Sequence, residues 1–201
     1  MKTFIKFFEN DEKEFEKSYK HSGLTITVSG LTCSGKTTGA RAIAEYFGIE
    51  YHSSGSILRE IAKRKGIPLE EFVKIRSNEI DIEIDKQTLK LAIIGNVVLD
   101  GRLTGWVAGK WANVRIYYDV PFEIRVKRYA EREGVDINTA MKIVKEIDEA
   151  NEKKYKSLYG IDLSDLSIYD IIIDNSNWSL EEAKKRSIEI IEKFLEEGKW
   201  R

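Results

Sequence analysis

Gly30-Leu31-Thr32-Cys33-Ser34-Gly35-Lys36-Thr37 reads G-x-x-x-x-G-K-[ST], and its flanks decide the fold. Upstream, Leu24-Thr25-Ile26-Thr27-Val28-Ser29 is an apolar, β-branched run expected to form a buried strand. Downstream, Ala40, Ile43, Ala44 and Phe47 recur at helical spacing. A strand, a glycine turn and a helix start in that order form a phosphate cradle. Backbone N–H groups from Gly30 to Thr38 wrap the phosphates, and the helix N-terminus adds its partial positive charge. Lys36 is placed to reach the β- and γ-phosphates, and the Thr37 hydroxyl to ligate Mg²⁺. The stretch predicts a binder of ATP or another nucleoside triphosphate.

The same alternation continues outward. Strands are expected at 24–29, 49–52, 96–100, 114–118 and 168–174, with helices filling most of the rest. Strand-then-helix repetition argues for an α/β chain, a three-layer P-loop NTPase fold around a five-stranded parallel sheet. Residues 1–23 precede the first core strand. Phe4, Phe8, Phe15 and Tyr19 fall near one face if this segment is helical, so it either docks as an extra helix or forms a disordered tail. Residues 54–94 and 121–166 exceed a minimal core. Both stretches are expected to overhang the C-terminal edge of the sheet, where open α/β folds bind ligands.

Composition narrows the partners. Thirty-three Lys+Arg against 34 Asp+Glu leave a net charge of −1, so nothing argues for nucleic acid. No apolar stretch approaches the length of a membrane span. Cys33 is the only cysteine, which excludes an intramolecular disulfide and fits a reducing cytosol. Inside the phosphate loop it reads as a small residue that fits, ahead of a regulatory thiol.

Three further elements carry chemistry. Val97-Val98-Leu99-Asp100-Gly101-Arg102 places an acid at a strand end, the Walker-B arrangement for Mg²⁺, followed by an arginine able to fork onto a phosphate. His52-Ser53-Ser54-Gly55-Ser56-Ile57-Leu58-Arg59 offers Ser53, Ser54 and Gly55 at a helix start and Arg59 about one turn in, a seat for a monophosphate. Asp119-Val120-Pro121-Phe122-Glu123 opens a helix on which Arg125, Arg128 and Arg132 share one face. Such a face is solvated in most proteins; in a phosphoryl-transfer enzyme it neutralises the group being moved.

Taken in order, the phosphate loop, Ser-Ser-Gly-x-x-x-x-Arg, Asp-Gly-Arg, Asp-x-Pro-x-Glu-x-Arg-x-x-Arg and Tyr159-Gly160-Ile161-Asp162 resemble the archaeal-type cytidylate kinases. These are a branch of the P-loop nucleoside monophosphate kinases. Gly66-x-Pro68-Leu69-Glu70-Glu71-Phe72 and Gly101-Arg102-Leu103-Thr104-Gly105-Trp106 fit the same family. The resemblance implies reversible transfer of the ATP γ-phosphate to CMP or dCMP with Mg²⁺. It implies a kinase domain over 24–201, with a monophosphate-binding insertion at about 54–94 and a lid at about 128–160. Arg59 and Arg102 would hold the acceptor phosphate, Arg128 and Arg132 would bracket the transfer, and Asn175 would approach the adenine. Ser53, Arg76, Asp81 and Asp85 are candidates for reading the base. A monomer acting on small molecules is expected. Three departures stand out: Cys33 occupies a position that is commonly Gly, Lys145 and Lys154 stand where lid arginines are expected, and residues 1–23 are extra. The rival readings are a kinase for AMP, UMP or another small phosphate acceptor, and a nucleotide-gated binding protein with weak ATPase activity.

Overall fold

A computed structural model describes residues 6–198. In chain order the elements are α1 (Glu9–Ser18), β1 (Thr25–Gly30), α2 (Lys36–Phe47), β2 (Glu50–Ser53), α3 (Ser54–Lys65), α4 (Leu69–Ile75) and α5 (Asn78–Ile94). There follow β3 (Val97–Asp100), α6 (Thr104–Ala108), β4 (Val114–Tyr118), α7 (Phe122–Glu133), α8 (Ile137–Tyr159), β5 (Ile171–Ile173) and α9 (Leu180–Glu196). All strand pairs are parallel, in the order β2-β3-β1-β4-β5. β1 is therefore central, and the turn that follows it opens over the middle of the sheet.

Alternation along the strands builds two cores. Ile26, Val28, Val98, Ile116 and Tyr118 pack with Ala40, Ile43 and Ile191 of α2 and α9. Val97 and Leu99 point the other way, into a cluster with Ala92 of α5 and Ala108 of α6. On that second side β1 presents hydroxyls instead of hydrocarbon. Ser29 bonds Thr104 at 3.2 Å and Thr25 Oγ1 donates to the Ala92 carbonyl, while the Thr27 hydroxyl between them is buried with no partner among the described residues. The result is three layers, with the sheet between α2/α9 and α5/α6.

The expected strands appear at their expected places, except that the fifth is confined to Ile171–Ile173. Tyr169 N–H donates to Leu166 O in a turn, and the Asp170 carboxylate accepts from the backbone and guanidinium of Arg115. Residues 168–170 are thus committed to a turn and a side-chain clamp before the ladder begins.

The segment before β1 is a docked helix. Phe8 is fully buried in a cluster with Leu89, Ile93, Leu103, Val107 and Tyr155, and its ring meets Tyr159. Phe15 and Tyr19 pack on the same cluster; Phe4 lies outside the described residues. Trp111 Nε1 donates to Glu12 at 2.8 Å, and Asp11 pairs with Lys86 of α5. Phe8 thereby ties the start of the chain to α5 and to the end of α8. Phe8→Ala should cost about 3–5 kcal/mol and lower the melting temperature by about 10 °C, read by calorimetry. A melting temperature within about 2 °C of the wild type would remove the docking role.

Candidate active site

The loop between β1 and α2 is shaped by space as much as by conformation. Gly35 has φ +83°, and a Cβ there would lie 2.6 Å from Asn175 Nδ2. At Gly30 a Cβ would meet Tyr118 O at 2.8 Å. Only glycine fits either position. Cys33 adopts φ +59°, a left-handed conformation that costs a side-chain-bearing residue about 1 kcal/mol. This explains why glycine suits that position better. Burial also pushes the Cys33 thiol up, which keeps it protonated and argues against a reactive thiol.

Lys36 Nζ lies back across the loop, donating to Leu31 O at 3.2 Å. Burial, opposed by the nearby Asp100 carboxylate, lowers its ammonium to about 8. An anion in the loop stabilises the charged form again.

Asp100 closes β3 beside Val28 and Ser53. Its Oδ2 accepts from Thr37 Oγ1 at 2.7 Å, Tyr51 OH at 2.8 Å and Ser53 Oγ at 3.3 Å. Its Oδ1 is buried without a hydrogen-bond partner among the described residues. A carboxylate oxygen left bare next to a hydroxyl on the loop helix suits Mg²⁺, which takes one or two protein oxygens and fills its remaining positions with phosphates and water. Tyr51 was not singled out by sequence, because one tyrosine on a short strand carries no signal. Its hydroxyl is pushed up to about 12, first by burial and then by the Asp100 charge, so it remains a donor.

A cavity of about 870 Å³ opens over the loop. Thr32, Cys33, Gly35, Lys36, Thr37, Thr38, Asp100 and Arg102 line its floor, and Ser53, Ser54, Gly55 and Arg59 line the side built by α3. Leu58, Leu69, Val73, Ile147 and Tyr155 form an apolar far wall, while Arg128 and Arg132 approach from α7. Arg59 and Arg102 thus face the same opening as Lys36. Ser53 caps α3 by accepting from Ser56 N–H, and Arg59 donates to Ser56 Oγ at 3.1 Å.

The three arginines of α7 part company. Arg132 is half exposed, bonded to Glu133 at 2.7 Å and placed over the Tyr129 ring. Arg128 donates to Asn175 at both Oδ1 and O, and to Ser34 O. Asn175 is buried against Gly35 and Arg128 and does not line the cavity. Arg125 is buried behind the loop, donating to Val120 O, Thr32 O and Asp148. Leu31, Ser34 and Gly30 shape the loop from behind, outside the cavity lining.

Arg76, Asp81 and Asp85 also lie off the cavity wall. Arg76 Nε donates a bifurcated hydrogen bond to both carboxylate oxygens of Asp81, and its NH2 donates to Asn151. Lys154 donates to Arg76 O and pairs with Asp81 at 3.2 Å. Tyr159 OH donates to Asp85, which burial raises to about 7. Arg76, Asp81, Asn151 and Lys154 thus join α4 and α5 to α8, and Asp85 with Tyr159 makes a second tie between α5 and α8. Lys145 is exposed beside Glu149. Neither Lys145 nor Lys154 lines the cavity.

This fold and loop define a P-loop nucleotide-binding protein. The model of the cytidylate kinase-like family matches residues 25–177, and the chain belongs to that family. The cytidylate kinase of Staphylothermus marinus is 47% identical over 178 residues, spanning 87% of this chain and 99% of that protein. The cytidylate kinase of Pyrococcus horikoshii is 47% identical over 160 residues, spanning 79% of this chain and 83% of that one. In fold the chain is similar to a shikimate kinase from Acinetobacter baumannii, with a TM-score of 0.56, 18% identity, and coverage of 92% of this chain and 98% of the other. No described helix is long and apolar enough to cross a membrane.

The Lys36 ammonium gives a pH test. Because its value lies near 8 in the free protein, kcat/KM for ATP should fall as pH rises through about 8, when the lysine loses its charge. The kcat limb at saturating ATP should lie at higher pH, since bound phosphate holds the proton on. A flat kcat/KM profile between about pH 7 and 9 would contradict the assignment.

Proposed function

We propose that this protein transfers the γ-phosphoryl group of ATP to CMP or dCMP, with the loop holding ATP and the α3 side of the cavity holding the acceptor. The observation that carries the reading is one cavity lined by Lys36, Thr37 and Arg102 on its floor and by Arg59 on the α3 side. Two anions can meet there only if cations separate them. The cavity walls exclude water from that meeting point once the helices of 54–94 and 128–160 close as insertion and lid.

An acceptor phosphate oxygen forms the new bond to the γ-phosphorus, and the bond to the β–γ bridging oxygen breaks with its electron pair leaving on ADP. The acceptor is already an anion, so no general base is needed. Lys36 steadies the β- and γ-phosphates, while Arg102 and Arg59 hold the acceptor phosphate. Arg128 and Arg132 add positive charge from α7. Thr37 and Asp100 would hold Mg²⁺, which would supply positive charge against the phosphates. Asn175 braces Gly35 and Arg128 at the donor end. Ser53, Ser54 and Gly55 supply hydroxyl and N–H groups at the start of α3, and the apolar far wall gives the base a surface to stack on. Rate enhancement in such a site comes from alignment and charge neutralisation.

ADP production measured with ATP, Mg²⁺ and each common monophosphate tests the reading. CMP and dCMP should lead; a preference for AMP or UMP would remove the cytidylate assignment. Lys36→Ala should lower kcat at least about 100-fold. Arg59→Ala should raise the KM for the acceptor about tenfold or more while ATP binding survives. An unchanged acceptor KM would end the role given to Arg59.

A further inference from the structure

Asp148 sits in the middle of α8, 116 residues away in sequence from the loop it touches. Its Oδ1 accepts from Thr32 N–H at 3.2 Å and from Thr32 Oγ1 at 2.6 Å. Its Oδ2 accepts from Arg125 NH1 at 2.5 Å, and Arg125 also donates to Thr32 O at 3.1 Å. All three polar atoms of Thr32 are therefore fixed from α7 and α8. Arg102 NH2 then donates to Thr32 Oγ1 at 2.6 Å, with Asp148 Oδ1 a further 3.9 Å from that nitrogen.

The order of these bonds matters. A hydroxyl carries one proton, and Thr32 spends it on Asp148, which turns its lone pairs toward Arg102. Arg102 Nε is buried with no partner among the described residues, and Arg102 lines the cavity. We propose that Asp148 is a positioning residue that aims Arg102, through Thr32, at the acceptor phosphate as it receives the phosphoryl group. Ile147, its neighbour on α8, lines the apolar far wall of the same cavity. One helix thus links the wall that meets the acceptor to the cation that meets the phosphate. The inference rests on the kinase reading above, and its test separates the two.

Asp148→Asn keeps the shape but removes the charge. Its amide can accept from Thr32 only by turning its NH₂ toward Arg125, donor against donor. With CMP as acceptor, or with whichever monophosphate the wild type uses, kcat should fall by about tenfold or more while the KM for ATP stays within about threefold. The decisive readout is a double-mutant cycle: in an Arg102→Ala background the same change should cost less than about twofold in kcat. An equal loss in both backgrounds would overturn the inference and leave Asp148 a brace for the loop alone. A kcat within about threefold of wild type in the single variant, with the fold verified by thermal melting, would overturn it as well. Absence of CMP transfer by the wild type counts against the proposed function, whereas the cycle is scored on the accepted monophosphate.

Discussion

A chain that must turn from a central parallel strand into a helix within a few residues has few backbone solutions. The one adopted between β1 and α2 needs positive φ at Cys33 and Gly35 and has no room for a Cβ at Gly30 or Gly35. Tyr118 O and Asn175 Nδ2 occupy that space. The tightness starts α2 at Lys36, so the helix N-terminus and the lysine lie together at the loop. The rest of the site is arranged around this turn. Asp100 reaches it from β3, Arg102 from the segment just after, and α7 and α8 close behind it.

Charge is distributed in two shells about that loop. Lys36, Arg59, Arg102, Arg128 and Arg132 face the cavity. Arg125 and Asp148 sit behind it, paired with each other and with Thr32. A buried arginine is tolerable because a carboxylate and two carbonyls satisfy its N–H groups. The inner cations keep unfilled donors. This division separates groups that shape the loop from groups that can meet a ligand, although all come from the same few helices.

The docked α1 adds a tie that the 25–177 family match does not include. Phe8, which caps its start, clusters with Tyr155 and Tyr159 of α8 and Leu89 and Ile93 of α5. Asp85 and Tyr159 join the same two helices by a hydrogen bond. Packing and polar contacts thus hold the C-terminal parts of α5 and α8 together.

Local pattern fixed the order of elements, the phosphate loop, the Asp100 carboxylate and the cavity-facing Arg59, Arg102, Arg128 and Arg132, because periodicity, glycine placement and strand-end position act over a few residues. The face shared by Arg125, Arg128 and Arg132 was legible, but their separate partners were not. The same holds for Arg76, Asp81 and Asp85, which pair with each other and with α8 instead of lining the cavity. Tyr51 and Asp148 acquired meaning only when β2 and α8 were brought to Asp100 and Thr32. Spacing along a chain states which side chains share a helix face. Which carboxylate meets which cation or loop residue depends on contacts between elements distant in the chain, such as Asp148 with Thr32, 116 residues apart, and those are set by packing of the whole sheet and its helices.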